Sequence, residues 1–199
     1  MKRLTVGISG ATGAIYGIRL LEALSKSDVE THLIITEAAE NTIRMETDLK
    51  VEEVKALAKI SYDIKNLGAD VSSGSFLSEG MVIIPCSIKS LSGIANSFNE
   101  NLLIRAADVT LKERRKLVLV VRETPLHLGH IELMLQASRI GAILLPPVPA
   151  FYFNPKTIDD LINHTVGKVL DLFGLNHHLF SRWGSSEVKK TLRKKGFKD

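Results

Sequence analysis

Arg122 and Glu123 emerge together from the aliphatic run Leu117–Val121, and two readings compete for them. They form either a local ion pair at a sheet edge or a working pair. In the working pair, Arg122 grips a phosphate through two parallel hydrogen bonds and Glu123 transfers protons. Three other segments offer matching chemistry. Ser9-Gly10-Ala11-Thr12-Gly13 joins glycines, which allow close backbone approach, to hydroxyl donors at Ser9 and Thr12. A helix that follows such a turn presents unpaired N–H groups and a positive dipole end to an anion. The glycine spacing, Gly7, Gly10 and Gly13, is not a strict G-x-G-x-x-G because Ile8 takes a glycine place, so a purely structural turn competes with the ligand reading. Thr36-Glu37 and Pro85-Cys86-Ser87-Ile88-Lys89-Ser90 also close aliphatic runs, the second being rich in hydroxyls at a helix start.

Short aliphatic runs deliver all four segments to one place. Leu4–Ser9, Thr31–Ile35, Met81–Ile84, Leu117–Val121 and Ala142–Leu145 lack polar alternation, which indicates strands buried on both faces. Helical patterns alternate with them over Ala14–Ser25, Glu37–Met45, Val51–Ile60, Ile88–Ala95, Leu102–Lys112 and His127–Ile140. Ser61–Glu79 reads as irregular. Thr157 caps a long helix running to about Phe173, with Asp159 and Asp160 in its first turn. The pattern predicts an α/β fold with a doubly wound, mostly parallel sheet and a ligand at the carboxyl ends of the strands. We expect one domain over residues 1–184 and a basic tail or helix over 185–199.

Several function classes find little support. A dinucleotide-dependent reductase would place Glu37 on a ribose and use Tyr152 and Lys156, but that spacing needs a helix and Pro155 intervenes. No phosphate-loop Gly-Lys-Ser/Thr sequence occurs. The net charge of +4 is concentrated in the tail Lys189–Lys198, without interleaved aromatics, which argues against nucleic acid. No stretch approaches the roughly 20 apolar residues that span a bilayer. The lone Cys86 fits a reducing cytoplasm and reads as a buried strand-end residue rather than a nucleophile. His127 and His130 read as structural, since no further ligand at suitable spacing makes a metal set.

An ordered set of motifs resembles the flavin prenyltransferases of the UbiX type, from about residue 3 to 184. The set comprises Gly10-Ala11-Thr12-Gly13-Ala14 with Tyr16-Gly17, Glu46-Thr47-Asp48, Pro85-Cys86-Ser87 and the run Asn101–Val109. Lys112-Glu113-Arg114-Arg115-Lys116-Leu117, Arg122-Glu123-Thr124-Pro125, Pro149-Ala150-Phe151-Tyr152 and Arg182-Trp183-Gly184 complete it. The resemblance implies a Rossmann-type, flavodoxin-like three-layer sandwich that binds FMN. It implies metal-independent transfer of a dimethylallyl group from dimethylallyl monophosphate to N5 and C6 of reduced FMN, with the product passing to UbiD-type decarboxylases. It further implies a homo-oligomer, commonly a dodecamer, with sites at subunit contacts.

Carried onto this chain, the resemblance implies FMN binding by Gly10, Ala11, Thr12, Thr36, Ser87, Ile88, Lys89, Ser90 and Arg122. The prenyl phosphate would meet Tyr152, Lys168, Lys112 and Arg122, with Ser72, Ser73 and Ser75 forming a serine loop beside it. Glu123 and Glu46 are the implied acid/base carboxylates, with Thr12 also in the catalytic group, and Trp183 either walls the site or packs near a subunit contact. An FMN-binding accessory or carrier protein of a decarboxylase complex is the alternative from another class, and an NAD(P)-dependent reductase is the third.

Overall fold

β1 (Lys2–Ile8), β2 (Val29–Ile35), β3 (Ile60–Tyr62), β4 (Gly80–Cys86), β5 (Lys116–Val121) and β6 (Ile143–Leu144) form one sheet in the computed structural model, which describes residues 2–194. Its order is β3-β2-β1-β4-β5-β6, and every neighbouring pair is parallel. This is the Rossmann order, whose strand sequence reverses between β1 and β4. The central strands are almost wholly buried, as their unbroken aliphatic runs require.

Helices cover both faces. A Cβ on Gly7 would lie 3.0 Å from Leu103 and 3.2 Å from Ile83, so α5 (Leu102–Lys112) packs directly on one face. A Cβ on Gly17 would lie 2.4 Å from the Ile84 carbonyl oxygen and 2.9 Å from Ile8, so α1 (Ala14–Leu24) is seated on the other. α2 (Glu37–Glu46) and α3 (Val51–Lys55) follow β2, and α4 (Ile88–Ala95) and α6 (Leu128–Arg139) lie with α5. The doubly wound, three-layer expectation holds, with a sheet that is wholly rather than mostly parallel.

The helix expected over Val51–Ile60 stops at Lys55. Lys59 N donates to the Thr31 carbonyl at 3.1 Å, and Ile60–Tyr62 then pairs with His32–Ile34 as an edge strand. The Tyr62 hydroxyl is 2.8 Å from His32 Nδ1, a tertiary bond that a sequence window does not contain.

Contacts divide the chain into two units, Met1–Pro147 and Val148–Asp199. The second holds α7 (Ile158–Leu172) and α8 (Ser186–Lys194). Thr157 caps α7 as expected: its hydroxyl accepts from Asp160 N at 3.1 Å, and Asp160 accepts from Thr157 N at 2.9 Å. Backbone N–H groups of Lys156 and Thr157 hold the Asp160 carboxyl below the usual range. α8 covers the start of the expected basic tail, and residues 195–199 lie outside the described residues. Among the described residues no helix is long and apolar enough to cross a membrane.

Candidate functional site

A cavity of about 660 Å³ opens at the carboxyl ends of the strands, beside the point where the strand order reverses. That volume falls inside the range of roughly 300–1,000 Å³ typical of small-molecule sites. Gly10, Thr36, Ser87, Ile88, Lys89, Ser90 and Glu123 line it, so the four strand ends singled out in the sequence do converge.

Each wall has a local cause. A Cβ on Gly10 would stand 2.4 Å from Ala38 Cβ, so only glycine lets the β1 turn approach α2 this closely. Gly13 holds φ at 94°, a left-handed conformation that closes the turn at the start of α1. The Thr36 hydroxyl accepts from Ala39 N at 3.1 Å and caps α2. The Ser87 hydroxyl accepts from Ser90 N at 3.3 Å and caps α4. The first N–H groups of α4, at Ile88 and Lys89, have no partner among the described residues and stand at the cavity wall. The positive end of the α4 dipole therefore faces the cavity, where an anion is favoured.

Two expectations about the glycine turn need correction. The first N–H groups at the start of α1 are not open: Glu46 Oε2 accepts from Gly13 N at 2.8 Å and from Ala14 N at 3.1 Å. The chain's own carboxylate occupies the first two donors of that helix start, whereas the starts of α4 and α2 offer N–H groups to the cavity. Nor is the Ser9 hydroxyl available to a ligand. It donates to the Pro85 carbonyl at 3.0 Å and accepts from Ser87 N at 2.8 Å, in a residue only 1% exposed. Ser9 thus straps β1 to β4 at the cavity floor, where Pro85 lies within the register shift between Ile83 and Cys86. Ser9→Ala leaves a buried carbonyl and a buried N–H with one partner fewer. We expect a loss of about 1–3 kcal/mol in a urea unfolding titration.

Arg122 and Glu123 do not pair with each other. Arg122 N donates to the Cys86 carbonyl at 3.0 Å, and its side chain has no carboxylate partner among the described residues. It lies close enough to Tyr16, in the first turn of α1, to oppose the upward effect of burial on that phenol. Glu123 is exposed at the cavity and accepts from Thr124 N at 3.0 Å. The ion-pair reading of these two residues therefore fails. The lysines on the cavity wall are compensated instead: Lys65 binds Glu37 at 3.0 Å, which raises its pKa, and Lys89 binds Glu100 at 3.1 Å. Ala11 and Thr12 sit in the turn but are not among the residues that line the cavity, nor is Arg122, which lies near Tyr16 of α1.

Cys86 is fully buried, and burial pushes its thiol up to about 12, so it is no nucleophile. His127 caps α6, its Nδ1 accepting from Gly129 N at 3.1 Å, and its ring lies tilted against that of His130 at a centroid distance of 3.6 Å. Tyr152 and Lys156 share no helix, since both precede α7, and the reductase spacing has no structural basis.

The flavoprotein family model matches residues 1–169. The flavin prenyltransferase UbiX of Thauera aromatica is 60% identical over 188 residues, covering 94% of this chain and 97% of that protein. The chain belongs to the flavin prenyltransferase family. Two solved structures bear on its fold. AnUbiX (PadA1), crystallised with FMN and dimethylallyl pyrophosphate, matches with a TM-score of 0.91 at 49% identity, over 92% of this chain and 98% of that one. A dodecameric FMN-dependent UbiX-like decarboxylase from Escherichia coli O157:H7 matches with a TM-score of 0.90 at 49% identity, over 92% of this chain and all of its own length (100%).

The remaining residues expected from the flavin prenyltransferase resemblance fall in two other places. Lys112 closes α5, and Asn101 caps the start of that helix at the cavity. The 11 residues of α5 place those ends about 16 Å apart, so Lys112 lies toward the amino-terminal ends of the strands, just before β5 begins. The serine loop is there too. Arg115 donates to the Gly74 carbonyl at 2.7 Å, Arg105 to the Ser72 carbonyl at 3.3 Å, and Ser73 bonds Ser75 at 2.8 Å. Lys112 pairs with Glu113 beside Gly74. Tyr152 and Lys168 belong to the second unit and flank His164. Tyr152 packs on its ring at a centroid distance of 6.0 Å, and Lys168 stands one turn further along α7. Burial, aided by the Lys168 charge, lowers the pKa of His164. Trp183 is 67% exposed and meets the Tyr152 ring edge-on at 5.5 Å.

Sequence reasoning missed Ile64, Lys65, Glu100 and Asn101 as cavity residues. Asn101 was the findable one: an asparagine directly before Leu102-Leu103-Ile104 is a helix cap, and its side chain accepts from Ile104 N at 3.1 Å.

Proposed function

We propose that this chain transfers a dimethylallyl group from dimethylallyl monophosphate to N5 and C6 of reduced FMN, and that a UbiD-type decarboxylase receives the product. The observation that carries the reading is one cavity that joins an open helix start for an anion to a carboxylate released from its neighbouring arginine. The cavity fits FMN in kind: a glycine turn for close approach, hydroxyls at Thr36, Ser87 and Ser90, and the α4 dipole for the phosphate. When bound, reduced FMN supplies the electron-rich ring that accepts the allyl carbon.

The chain's residues supply the electrostatics and the proton movement. Breaking the allylic C–O bond leaves negative charge on the donor phosphate; the cations proposed to stabilise it are Arg122 of the first unit and Lys168, with the Tyr152 hydroxyl, of the second, from the same copy or from neighbouring copies. Thr12 places a hydroxyl in the same turn. Closing the second bond at C6 releases a proton, and Glu123, a carboxylate on the cavity wall that is not held by a lysine as Glu37 and Glu100 are, takes it up. Glu46 is the second carboxylate of the catalytic group and fixes the glycine turn through Gly13 and Ala14.

Lys112 and Ser73 support a homo-oligomeric enzyme, probed best as a dodecamer. Their place at the amino-terminal ends of the strands, away from the cavity, suits them to complete the site of a second copy, not that of their own chain. The lone buried Cys86 fits a cytoplasmic setting.

The test is anaerobic incubation of the chain with reduced FMN and either dimethylallyl monophosphate or the pyrophosphate, followed by mass spectrometry of the flavin. The monophosphate should yield a flavin heavier by one prenyl group, faster than the pyrophosphate does. An unmodified flavin with both donors refutes the reading.

A further inference from the structure

Asp171, three residues after Lys168 on α7, gathers three basic side chains. Arg182 donates to it as a fork, Nη1 to Oδ2 at 2.9 Å and Nη2 to Oδ1 at 2.6 Å. His177 Nε2 lies 3.0 Å from Oδ1, and Lys168 Nζ lies 3.8 Å from Oδ2. The Arg182 guanidinium, with His177 behind it, holds the Asp171 carboxyl below the usual range.

An exposed ion pair usually contributes little, and Arg182 is half exposed. This pair has the features that make the exception: fork geometry and a third member, His177, whose side chain is only 4% exposed. The segment between the two residues is also fitted tightly to α7. A Cβ on Gly167 would stand 2.5 Å from Phe180 and 2.7 Å from His177, so no side chain fits between helix and segment. Arg182 in turn lies over the Phe180 ring at 5.4 Å.

The fork closes the excursion from Asp171 to Arg182, and the next residue is Trp183, whose ring meets Tyr152 at 5.5 Å. One carboxylate thereby fixes the neighbour of Tyr152 and at the same time holds the ammonium of Lys168 within 3.8 Å. We propose that Asp171 and Arg182 are positioning residues for the prenyl donor: their fork sets Trp183 on Tyr152 and aims Lys168. The inference rests on the reading of Tyr152 and Lys168 as donor-binding residues.

The chain's single tryptophan is Trp183, so its fluorescence anisotropy reports this segment alone. In the full chain, Asp171→Asn removes one charge and Arg182→Lys removes the fork while keeping the charge. Both should lower Trp183 anisotropy. Both should raise KM for dimethylallyl monophosphate about tenfold, the effect of losing one charge-assisted hydrogen bond. The FMN dissociation constant, set in the first unit, should stay unchanged. Asp171→Glu should recover part of both effects. Unchanged anisotropy in both variants overturns the proposal. So does lowered anisotropy with an unchanged donor KM, or an FMN affinity that falls in step with the donor's. If the unsubstituted chain prenylates nothing, the functional reading fails, while the anisotropy comparison still decides whether the fork orders Trp183.

Discussion

Glu123→Gln should slow prenyl transfer about 10²- to 10⁴-fold while FMN affinity stays within about twofold. Glutamine keeps the shape and the acceptor that bonds Thr124 N, so the strand end is preserved. It cannot take up the proton released when the ring closes at C6. Glu123 carries no ion pair with Arg122, so removing its charge leaves no buried cation without a partner, and the protein should fold normally. Rapid-mixing measurement of flavin turnover, alongside FMN titration of the same variant, separates the two effects. A carrier that only delivers flavin to a decarboxylase would be indifferent to the substitution, so full retention of turnover would favour the carrier reading.

Arg122→Ala should cost about 10²- to 10³-fold in rate, the loss expected when one fixed cation is removed from a site where charge develops. The backbone bond to Cys86 survives the substitution, and no carboxylate in the described structure is left without its partner. Arg122→Lys should restore only part of the rate, since an ammonium supplies charge without the two-pronged geometry. Steady-state kinetics with each variant measure this directly. Equal rates for Arg122→Ala and the unsubstituted chain would remove Arg122 from the chemistry.

The sequence made the sheet readable because its strands are unbroken aliphatic runs, a local signal. The helix starts at Ser87 and Thr157 are equally local, each carried by a capping residue whose bond the structure contains. Failures occurred where distant parts of the chain decide. Ile60–Tyr62 becomes a strand only because β2 offers an open edge. Ser9 looked like a ligand donor until Pro85, 76 residues away, claimed its hydroxyl. The bonds from Gly13 N and Ala14 N to Glu46, 33 and 32 residues away, are equally invisible to any periodicity. The fork of Asp171 and Arg182 spans 11 residues and leaves no pattern in either neighbourhood. Lys112 and Ser73 are a different case: their types suited a phosphate, and the direction of α5 puts them at the other end of the sheet.

The central claim is that one flavin sits where β1, β2, β4 and β5 end. A crystal structure of the chain grown with FMN tests it most directly. The phosphate should lie against the first N–H groups of α4, with the ring system between Gly10 and Glu123. Flavin bound anywhere other than against the Gly10 turn and the start of α4 would contradict the account.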